Sequence, residues 1–407
     1  MDTVYRLYST LPLMEHKKTR AEIDLDALRD NYRTLLDLAR TDDSAVRFIA
    51  VVKSEAYGHG APQCVSALLK EGCDFFAVSS VAEAVAVRQT CDLHQKKADV
   101  LILGYTSPSL SQELAKYDII QTLLSEDYAQ KLNQAAADAG VTVRTHVAVD
   151  TGMNRIGVCV HSQDSLQAAA AAVERMVRSS HLRVEGMFTH FSRADEEGEG
   201  EEFTEEQSRR YQALRGELES RGVHIPFHHA CNSAASVLRR GDRMNGVRVG
   251  ILLYGVCPSE RLDWLSLKPV LKLKTVISHV HSLSTGESVG YGGKYTAESP
   301  RIIATAPIGY GDGFLRGYRG AEVTVETASG MKKAVIVGNI CMDQCMIDVT
   351  DIDARAGDSI TFFGNRPQEL NDYAKRAGII RYECLCLISS RVPRVYRRSE
   401  KGELDER

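Results

Sequence analysis

The sequence contains no uninterrupted apolar run that approaches the roughly 18 residues of a membrane-spanning helix. Residues 1–20 also lack the charged start, the apolar middle and the small-residue cleavage site of a signal peptide. From these two absences we expect a cytoplasmic protein without a membrane partner.

An excess of positive charge is also missing. Lys and Arg number 50 against 54 Asp and Glu, which gives a net charge of −4. This balance provides no electrostatic reason to bind nucleic acid or an anionic membrane surface. Small polar molecules remain candidate ligands.

Cys-x-x-Cys pairs are absent, although the chain has ten cysteines. Their absence gives no support to a zinc ribbon or a dithiol redox motif. Cys341 with Cys345, and Cys384 with Cys386, could be proposed as metal ligands, but both pairs lie in strand-like sequence. We therefore expect buried thiols in a reducing compartment and no metal site.

The chain does contain a regular alternation of strand-like and helix-like segments. The predicted strands are 48–52, 75–78, 100–103, 119–123, 143–149, 184–188, 226–230 and 247–251. The predicted helices are 26–39, with Asp26 as N-cap, then 62–69, 82–90, 126–139, 165–177, 205–220 and 234–238. Eight strands that alternate with helices over about 200 residues are typical of a (β/α)8 TIM-type barrel, an α/β fold.

One acidic block, residues 194–202, interrupts this alternation. We interpret it as a solvated loop, followed by a capping box at 204–207 that starts the next helix. Acidic side chains in the first turn of that helix would also suit its dipole.

After residue 260 the helical periodicity nearly vanishes. Short strand-like runs appear at 271–279, 301–307, 321–326, 333–337, 346–348 and 359–363, with one clear helix at 368–377. We expect a barrel domain at 18–260 and a mainly β C-terminal domain at 261–407, with residues 1–17 as a candidate addition to the latter. A strand at 20–25 need not belong to the barrel sheet.

Lys53 follows the first barrel strand, where its surroundings are half apolar. Desolvation disfavours a charged lysine there and leaves a nucleophilic amine, which a Schiff base requires. The alternative is a surface lysine at the end of a buried strand.

The active site of a parallel barrel lies at the C-terminal ends of its strands. The polar or glycine residues near those ends are Lys53, Tyr57, Asp150, Arg155, His190, Asn232, Ser233, Arg248 and Gly250. This set suits an anionic, phosphorylated ligand held by a Schiff base.

Several stretches in a fixed order carry a resemblance to a known family. They are 50–60, 149–157, 189–191, 229–235, 246–255, 288–292, 308–313, 338–344 and 391–394. In these stretches the sequence resembles the alanine racemases, a barrel-plus-β class of pyridoxal-phosphate enzymes, over about residues 18–396. The resemblance implies interconversion of L- and D-alanine, which supplies D-amino acid for cell-wall synthesis.

The resemblance implies two catalytic bases, one on each face of the substrate Cα. Lys53 would hold pyridoxal phosphate as a Schiff base and act as one base, and Tyr291 would be the other. A phenol with an ordinary pKa of about 10 needs help to act as a base at neutral pH. The resemblance assigns that help to His190 paired with Arg248.

The resemblance also assigns binding roles. Cofactor-binding residues would be Lys53, Tyr57, His190, Asn232, Ser233, Arg248, Gly250 and Ile251. Substrate-binding residues would be Arg155, Met342, Asp343, Tyr310 and Ser390. Arg248 would face the pyridine nitrogen and leave it unprotonated, because a guanidinium does not give up its proton. A head-to-tail homodimer is implied, in which Tyr291 and Met342 reach the site of the partner subunit.

Two positions depart from the family pattern. Ala148 stands where a carbamate-modified lysine is common, so Arg155 must be oriented by a bound anion, by water or by another side chain. Ser390 stands where a tyrosine usually lines the substrate pocket. The smaller, hydroxylated side chain leaves serine racemase or mixed serine and alanine activity open.

Two other functions remain open at this point. A barrel-type pyridoxal-phosphate decarboxylase needs only one protonation face, whereas Tyr291 indicates two. A pyridoxal-phosphate carrier or regulatory module would be a bare barrel, whereas this chain continues through Tyr291 and Met342.

Overall fold

The computed structural model describes residues 19–397 and the short strand Asp405–Glu406. The described chain divides into two compact units. One comprises Leu28–Leu267, and the other comprises the described residues up to Ala27 and from Lys268 onward. Within this part of the chain, no helix has the length and apolar character that crossing a membrane requires.

The unit Leu28–Leu267 contains a closed parallel barrel, as predicted. Strand β1 (Arg20–Asp24) precedes it and lies outside it. The barrel strands are β2 (Arg47–Val51), β3 (Phe75–Val78), β4 (Asp99–Ile102), β5 (Ile120–Leu123), β6 (Val143–Asp150), β8 (Leu182–Phe188), β9 (Phe227–His229) and β10 (Gly246–Val249). The two-residue β7 (Val158–Cys159) pairs in parallel with the C-terminal end of β6. Pairing of β10 with β2 and of β5 with β6 completes the closed circuit.

Helices alternate with these strands. Their bounds are Leu25–Ala39, Lys53–Gly58, Ala61–Lys70, Val81–Leu93, Ser111–Lys116, Glu126–Asp138, Gln163–Val177, Glu199–Ser220 and Ser233–Leu238. Short 3-10 turns lie at Pro108–Leu110, Arg240–Asp242, Ile251–Tyr254 and Glu260–Leu262. Serine side chains cap several helices; Ser125 Oγ, for example, accepts a hydrogen bond from the Tyr128 N–H at 3.1 Å.

Two predicted helix starts are wrong. The helix Glu199–Ser220 begins inside the acidic block, so its N-terminal part is not a loop. Three glutamates occupy its first turn, where the positive end of the helix dipole stabilises them. Thr204 does not cap this helix; its hydroxyl donates to the Gly200 carbonyl, 2.8 Å away, within the helix. Before the first helix, Asp24 rather than Asp26 accepts the backbone N–H groups of Asp26 and Ala27, at 3.0 and 2.8 Å.

The other unit is built on one mixed sheet of ten described strands. After β1 come β11 (Leu271–Val276), β12 (His279–Leu283), β13 (Arg301–Ala306), β14 (Glu322–Thr327), β15 (Gly330–Val337), β16 (Cys345–Asp348), β17 (Ser359–Phe363), β18 (Arg394–Arg397) and β19 (Asp405–Glu406). Their spatial order is β12-β13-β16-β15-β14-β17-β11-β1-β18-β19. The helices Glu369–Ala377 and Arg381–Cys386 accompany it. The mainly β character of this unit agrees with the prediction.

Strand β1 pairs antiparallel with β11 and parallel with β18. The structure therefore places it in the sheet of the second unit, although the expected barrel range of 18–260 includes it. The expected addition of residues 1–17 lies outside the described residues.

The cysteines are mostly buried, as expected. Cys64, Cys73, Cys91, Cys231, Cys257, Cys345 and Cys384 are buried thiols, whereas Cys159 and Cys386 are exposed. Cys384 and Cys386 lie on the helix Arg381–Cys386, so their expected placement on a strand is wrong.

Candidate active site

Lys53 follows β2 and begins a short helical segment, Lys53–Gly58, of unusual hand. Ser54, Glu55, Ala56 and Tyr57 have φ between 52° and 54°, the left-handed region. Each L-residue in that conformation costs about 1–2 kcal/mol. Contacts with the surrounding barrel must therefore hold the segment.

Two rings provide those contacts. The His59 Nδ1–H donates to the carbonyl oxygens of Ala56 at 2.9 Å and Tyr57 at 3.0 Å. The His59 ring stacks on Tyr254, with centroids 4.5 Å apart, and the Tyr57 ring lies 5.0 Å from the same tyrosine. The Tyr254 hydroxyl donates to the Val51 carbonyl at 3.1 Å, at the end of β2. Tyr254 therefore ties the left-handed segment to the strand that precedes Lys53.

A group of hydrogen-bond donors lies beside this segment. The Gly250 N–H donates to Ser233 Oγ at 2.9 Å, and Ile251 begins the turn that follows. A Cβ added at Gly250 would contact the Tyr57 hydroxyl, so only glycine lets the backbone lie this close. Hydroxyl groups such as those of Tyr57 and Ser233, next to backbone N–H groups, are the kind of donors that a phosphate requires. The residues present therefore fit the phosphate of pyridoxal phosphate.

Arg248 is buried at the end of β10 and is held on several sides. Its guanidinium donates to the carbonyl oxygens of Thr189 at 2.7 Å, His229 at 2.9 Å and Ala230 at 2.9 Å. The Phe188 ring packs against it at 5.1 Å. Burial lowers the pKa of Arg248 to about 10, which leaves the group charged at neutral pH. Backbone carbonyl groups at the ends of β8 and β9 therefore hold the guanidinium on several sides.

His190 lies next to Arg248, with 3.3 Å between Nδ1 of the imidazole and Nη2 of the guanidinium. Burial, and then the charges of Arg248, Arg155 and Lys53, hold the pKa of His190 well below its usual range. The structure thus brings His190, Arg248 and Lys53 into one electrostatic environment. A neutral imidazole is the form that can accept a hydrogen bond from the guanidinium.

Asn232 has a structural role in the described chain. Its side-chain oxygen accepts the Ala235 N–H at 3.1 Å and caps the helix Ser233–Leu238. Its amide donates to the Phe191 carbonyl at 3.1 Å. The side chain that was predicted to bind the cofactor therefore also positions Ser233.

The loop that carries Arg155 is organised by Asp150. The Asp150 carboxylate accepts the backbone N–H groups of Gly152 at 2.9 Å and Asn154 at 3.0 Å. Arg155 itself is exposed, and no side chain in residues 19–397 forms an ion pair with it. Ala148, in the expected lysine position, is 1% exposed. The described residues therefore contain no side-chain replacement for that anionic neighbour.

The residues predicted in the C-terminal part of the chain lie around one loop of the β unit. The Tyr310 and Gly311 N–H groups donate to the Cys341 and Met342 carbonyls, at 3.0 and 2.9 Å. Asn339, from the same loop, donates to the Tyr291 carbonyl at 2.8 Å. Tyr291 is 75% exposed and Met342 is 53% exposed.

Arg391 connects Ser390 to the same loop. Its guanidinium pairs with Asp343 at 2.6 Å and with Asp312 at 3.4 Å. Ser390, the preceding residue, is exposed. Tyr291, Tyr310, Met342, Asp343 and Ser390 therefore belong to one surface region of this unit.

Two groups that sequence reasoning missed support the site. The Gln207 amide donates to the His190 carbonyl at 3.1 Å, and its oxygen accepts the Ser192 N–H at 2.9 Å. His229 contacts Arg248 with its ring as well as its carbonyl, at 2.7 Å from Nδ1 to Nη1. Gln207 lies within a helix and His229 within a strand. The periodic pattern of such segments predicts secondary structure but does not mark a single residue as part of a site.

Two family models match the chain. The N-terminal domain of alanine racemase matches residues 23–258, and the C-terminal domain of alanine racemase matches residues 270–396. Alanine racemase 1 of Clostridium acetobutylicum is 38% identical over 382 residues, which cover 92% of this chain and 94% of that protein. The alanine racemase of Methanococcus maripaludis is 34% identical over 385 residues, which cover 92% and 98%.

Solved structures agree with these matches. The alanine racemase of Clostridium difficile 630 has a TM-score of 0.85 and 38% identity, and the alignment covers 96% of this chain and 97% of that one. The alanine racemase of Bacillus anthracis with bound L-Ala-P has a TM-score of 0.83 and 31% identity, with coverage of 96% and 97%. The chain therefore belongs to the alanine racemase family.

Proposed function

We propose that this protein is an alanine racemase, an isomerase that interconverts L- and D-alanine with pyridoxal phosphate. The observation that carries the proposal is its 38% identity, over 92% of the chain, to a relative named alanine racemase. The placement of Lys53 beside His190 and Arg248 supports it, because these groups suit the cofactor and the proton transfer that racemisation requires.

Lys53 would hold pyridoxal phosphate through its Nζ atom, with Tyr57, Ser233 and the backbone at Gly250 and Ile251 as the phosphate donors. When bound, the cofactor supplies an electron sink that makes the Cα–H of an attached amino acid more acidic. Arg248 would face the pyridine nitrogen as a permanent donor and keep that nitrogen unprotonated. A weaker electron sink limits reactions that require a long-lived carbanion.

Inversion at Cα requires proton transfer on both faces of one carbon. We assign one face to the Lys53 amine and the other to the Tyr291 hydroxyl. The guanidinium and imidazole of Arg248 and His190 would stabilise the deprotonated phenol, because a positive charge and a hydrogen-bond donor both favour a phenolate. Arg155 and the Met342 N–H would bind the substrate carboxylate.

Tyr291 and Met342 are exposed on the β unit, and we infer that they complete the site of a partner subunit in a head-to-tail homodimer. Coexpression of a Lys53→Ala chain with a Tyr291→Phe chain tests this arrangement. Shared sites restore one intact site per mixed dimer, so activity returns to about one quarter of wild type with random pairing. Sites built within single subunits would restore no activity.

A single incubation series tests the function itself. Each L-amino acid is incubated with the purified holoenzyme, and the products are separated by chiral chromatography. We expect D-alanine from L-alanine, with equal amounts of the two enantiomers at equilibrium. Release of carbon dioxide from a basic amino acid, or binding of pyridoxal phosphate without turnover of any amino acid, would overturn the proposal in favour of a decarboxylase or a carrier.

Ser390 favours serine as a second substrate. It is exposed beside Arg391, which is anchored to Asp343 in the same surface region as Tyr310. A serine hydroxyl in place of a tyrosine ring leaves room for a larger, more polar substrate side chain, and a pocket of this kind discriminates weakly against an added hydroxyl. D-serine from L-serine in the same incubations is the expected result, and no turnover of serine would exclude this second activity.

A further inference from the structure

Four buried or half-buried side chains form a continuous chain of contacts through the barrel interior. His146 Nδ1 lies 3.0 Å from His229 Nε2. His229 Nδ1 lies 2.7 Å from Arg248 Nη1. Arg248 Nη2 lies 3.3 Å from His190 Nδ1. This series of contacts therefore begins on β6, three strands away from Arg248 on β10, and ends at the imidazole of His190.

The ring nitrogen that carries the proton in each of these histidines can be deduced from the hydrogen-bond partners. A guanidinium only donates hydrogen bonds, so His229 Nδ1 must accept from Arg248. The His229 proton is then on Nε2, where it donates to His146 Nδ1. His146 must in turn carry its own proton on its Nε2 atom. His190 Nδ1 is the third acceptor at Arg248 Nη2, so it shares one of the two Nη2 hydrogens with a backbone carbonyl, and the His190 proton is then on Nε2.

The electrostatics agree with neutral rings. Burial lowers the pKa of His146 to about 3. Burial, and then the Arg248 charge, hold the pKa of His229 well below its usual range. Both imidazoles are therefore neutral at pH 7, which is the state that the hydrogen-bond pattern requires.

The barrel wall is shaped to hold the His146 ring. A Cβ added at Gly186 would lie 2.7 Å from the ring atoms Cε1 and Nε2, so even alanine would displace the ring. The register between β6 and β8 shifts between Thr145 and His146, and His146 then faces Gly186. The rings of Phe75 and Phe227 pack at 6.2 and 5.8 Å. These contacts restrict the His146 ring to a single orientation, in which Nδ1 is directed at His229.

We propose that His146 is a positioning residue for Arg248, which it orients through His229. His146 Nδ1 accepts a hydrogen bond from the His229 Nε2–H. This bond disfavours the other His229 tautomer, which would direct its Nδ1–H at the Arg248 guanidinium. Arg248 can then keep its direction toward the cofactor ring and toward His190. The kinetic part of this inference rests on the proposed racemase function, whereas the tautomer part does not.

The test compares two substitutions with the wild-type holoenzyme. His146→Leu removes the acceptor, whereas His146→Asn keeps one, because the Asn Oδ1 atom can occupy nearly the position of the imidazole Nδ1. His228→Leu is the matched control, since His228 is a buried barrel histidine whose ring is hydrogen-bonded to Tyr211 and, among the described contacts, to none of these four residues. Protein labelled with ¹⁵N in histidine reports the protonation of each ring nitrogen, with signals assigned by single substitution.

We expect wild-type His146, His190 and His229 to be protonated at Nε2 and bare at Nδ1. In His146→Leu the His229 pattern should change and kcat for alanine should fall about 10-fold, the size typical of the outer hydrogen-bond partners of site histidines. His146→Asn should have the wild-type His229 signals and the wild-type kcat. The control, His228→Leu, should change neither the His229 signals nor kcat. Each of these outcomes is measured on folded protein, as judged by circular dichroism.

Three results would overturn the inference. They are a wild-type His229 protonated at Nδ1, a His146→Leu enzyme with unchanged His229 signals and unchanged kcat, and a His146→Asn enzyme as impaired as His146→Leu. If His146→Leu does not fold, the wild-type spectrum and the His146→Asn variant still decide. A protein that fails to racemise but shows the expected tautomers contradicts the proposed function alone, and an active racemase with other tautomers contradicts this inference alone.

Discussion

The Tyr57 hydroxyl and the backbone of Gly250 lie so close together that one added carbon would fill the space between them. The same glycine donates its N–H to Ser233 Oγ at 2.9 Å. Residues from the first barrel loop, the loop after β9 and the end of β10 thus meet at one point. This geometry makes position 250 the most direct place to test the proposed phosphate site.

Gly250→Ala should weaken the binding of pyridoxal phosphate. The new Cβ would displace the Tyr57 hydroxyl and remove one hydrogen bond, a loss of about 1–1.5 kcal/mol that corresponds to roughly a tenfold weaker affinity. Titration of the apoenzyme with the cofactor, followed by absorbance, measures this effect. Gly241→Ala is the control, because no atom lies within 4 Å of a Cβ added there. Equal affinities in the two variants would contradict the assignment.

Ser54→Gly should stabilise the protein. Ser54 is exposed and has φ of 52° and ψ of 53°, which glycine adopts without the steric cost of a Cβ. We expect the free energy of unfolding to rise by about 1 kcal/mol. Ser54→Val should lower it, because a β-branched residue is a poor fit to positive φ. Thermal melting of the three proteins measures both changes, and a lower melting temperature for Ser54→Gly would contradict the left-handed conformation.

Tyr291→Phe should strongly slow racemisation while proton exchange at Cα continues. Loss of one of two bases should lower kcat by about 100-fold or more. Lys53 would still exchange the Cα hydrogen of one enantiomer with solvent, which mass spectrometry in heavy water detects. Tyr105→Phe, at an exposed barrel tyrosine, is the control. Full turnover in Tyr291→Phe would exclude the two-base mechanism.

Ser390→Tyr should lower the turnover of serine relative to alanine. A tyrosine ring fills space that a serine substrate would use, and discrimination of this kind is worth about 10-fold or more. The ratio of kcat/KM values for the two substrates is the measurement. Ser284→Tyr, at an exposed position of the same unit, is the control. An unchanged ratio would mean that Ser390 does not line the substrate pocket.

Stability should fall in acid partly because of His146. Its pKa in the folded protein, about 3, lies below the unfolded value, so unfolding takes up a proton below about pH 6.5. This contribution is fully present above that pH and is lost as the pH falls toward 3, at about 1.4 kcal/mol per pH unit. In His146→Asn the free energy of unfolding from urea titrations should depend less steeply on pH, by about one proton, between about pH 4 and 6. His279→Asn, at an exposed histidine, should keep the wild-type slope.

The barrel could be predicted because its strands are buried on both faces and therefore appear as short apolar runs between turns. Phe75–Val78 and Ser359–Phe363 have the predicted bounds. Strand β12 was not separated from β11, because its exposed side chains His279 and His281 give an edge strand no apolar pattern. The acidic start of Glu199–Ser220 resembled a loop because it has no periodic apolar residues. It is helical because the helix dipole stabilises the glutamates of its first turn.

The positions of Lys53 after β2 and of Arg248 near the end of β10 agree with the sequence analysis, whereas the catalytic roles of Lys53 and Tyr291 stay predictions. The left-handed segment was not predictable, because Ser54 and its neighbours are not glycines and their conformation depends on contacts of the segment with Tyr254 and His59. The contact between His146 and His229 was equally hidden. The two residues are 83 positions apart in the sequence, and whether their rings come into contact depends on the register between β6 and β8.

Strand β1 lies between β11 and β18, which come from the far end of the chain. The barrel unit, Leu28–Leu267, is continuous and can assemble while the ribosome is still making the remainder. The β sheet cannot be completed until Arg394–Arg397 has been synthesised, so β1 obtains its second neighbour only after the whole barrel unit has been made. Among the strands that the structure describes, the first to be synthesised is therefore one of the last to be paired on both edges.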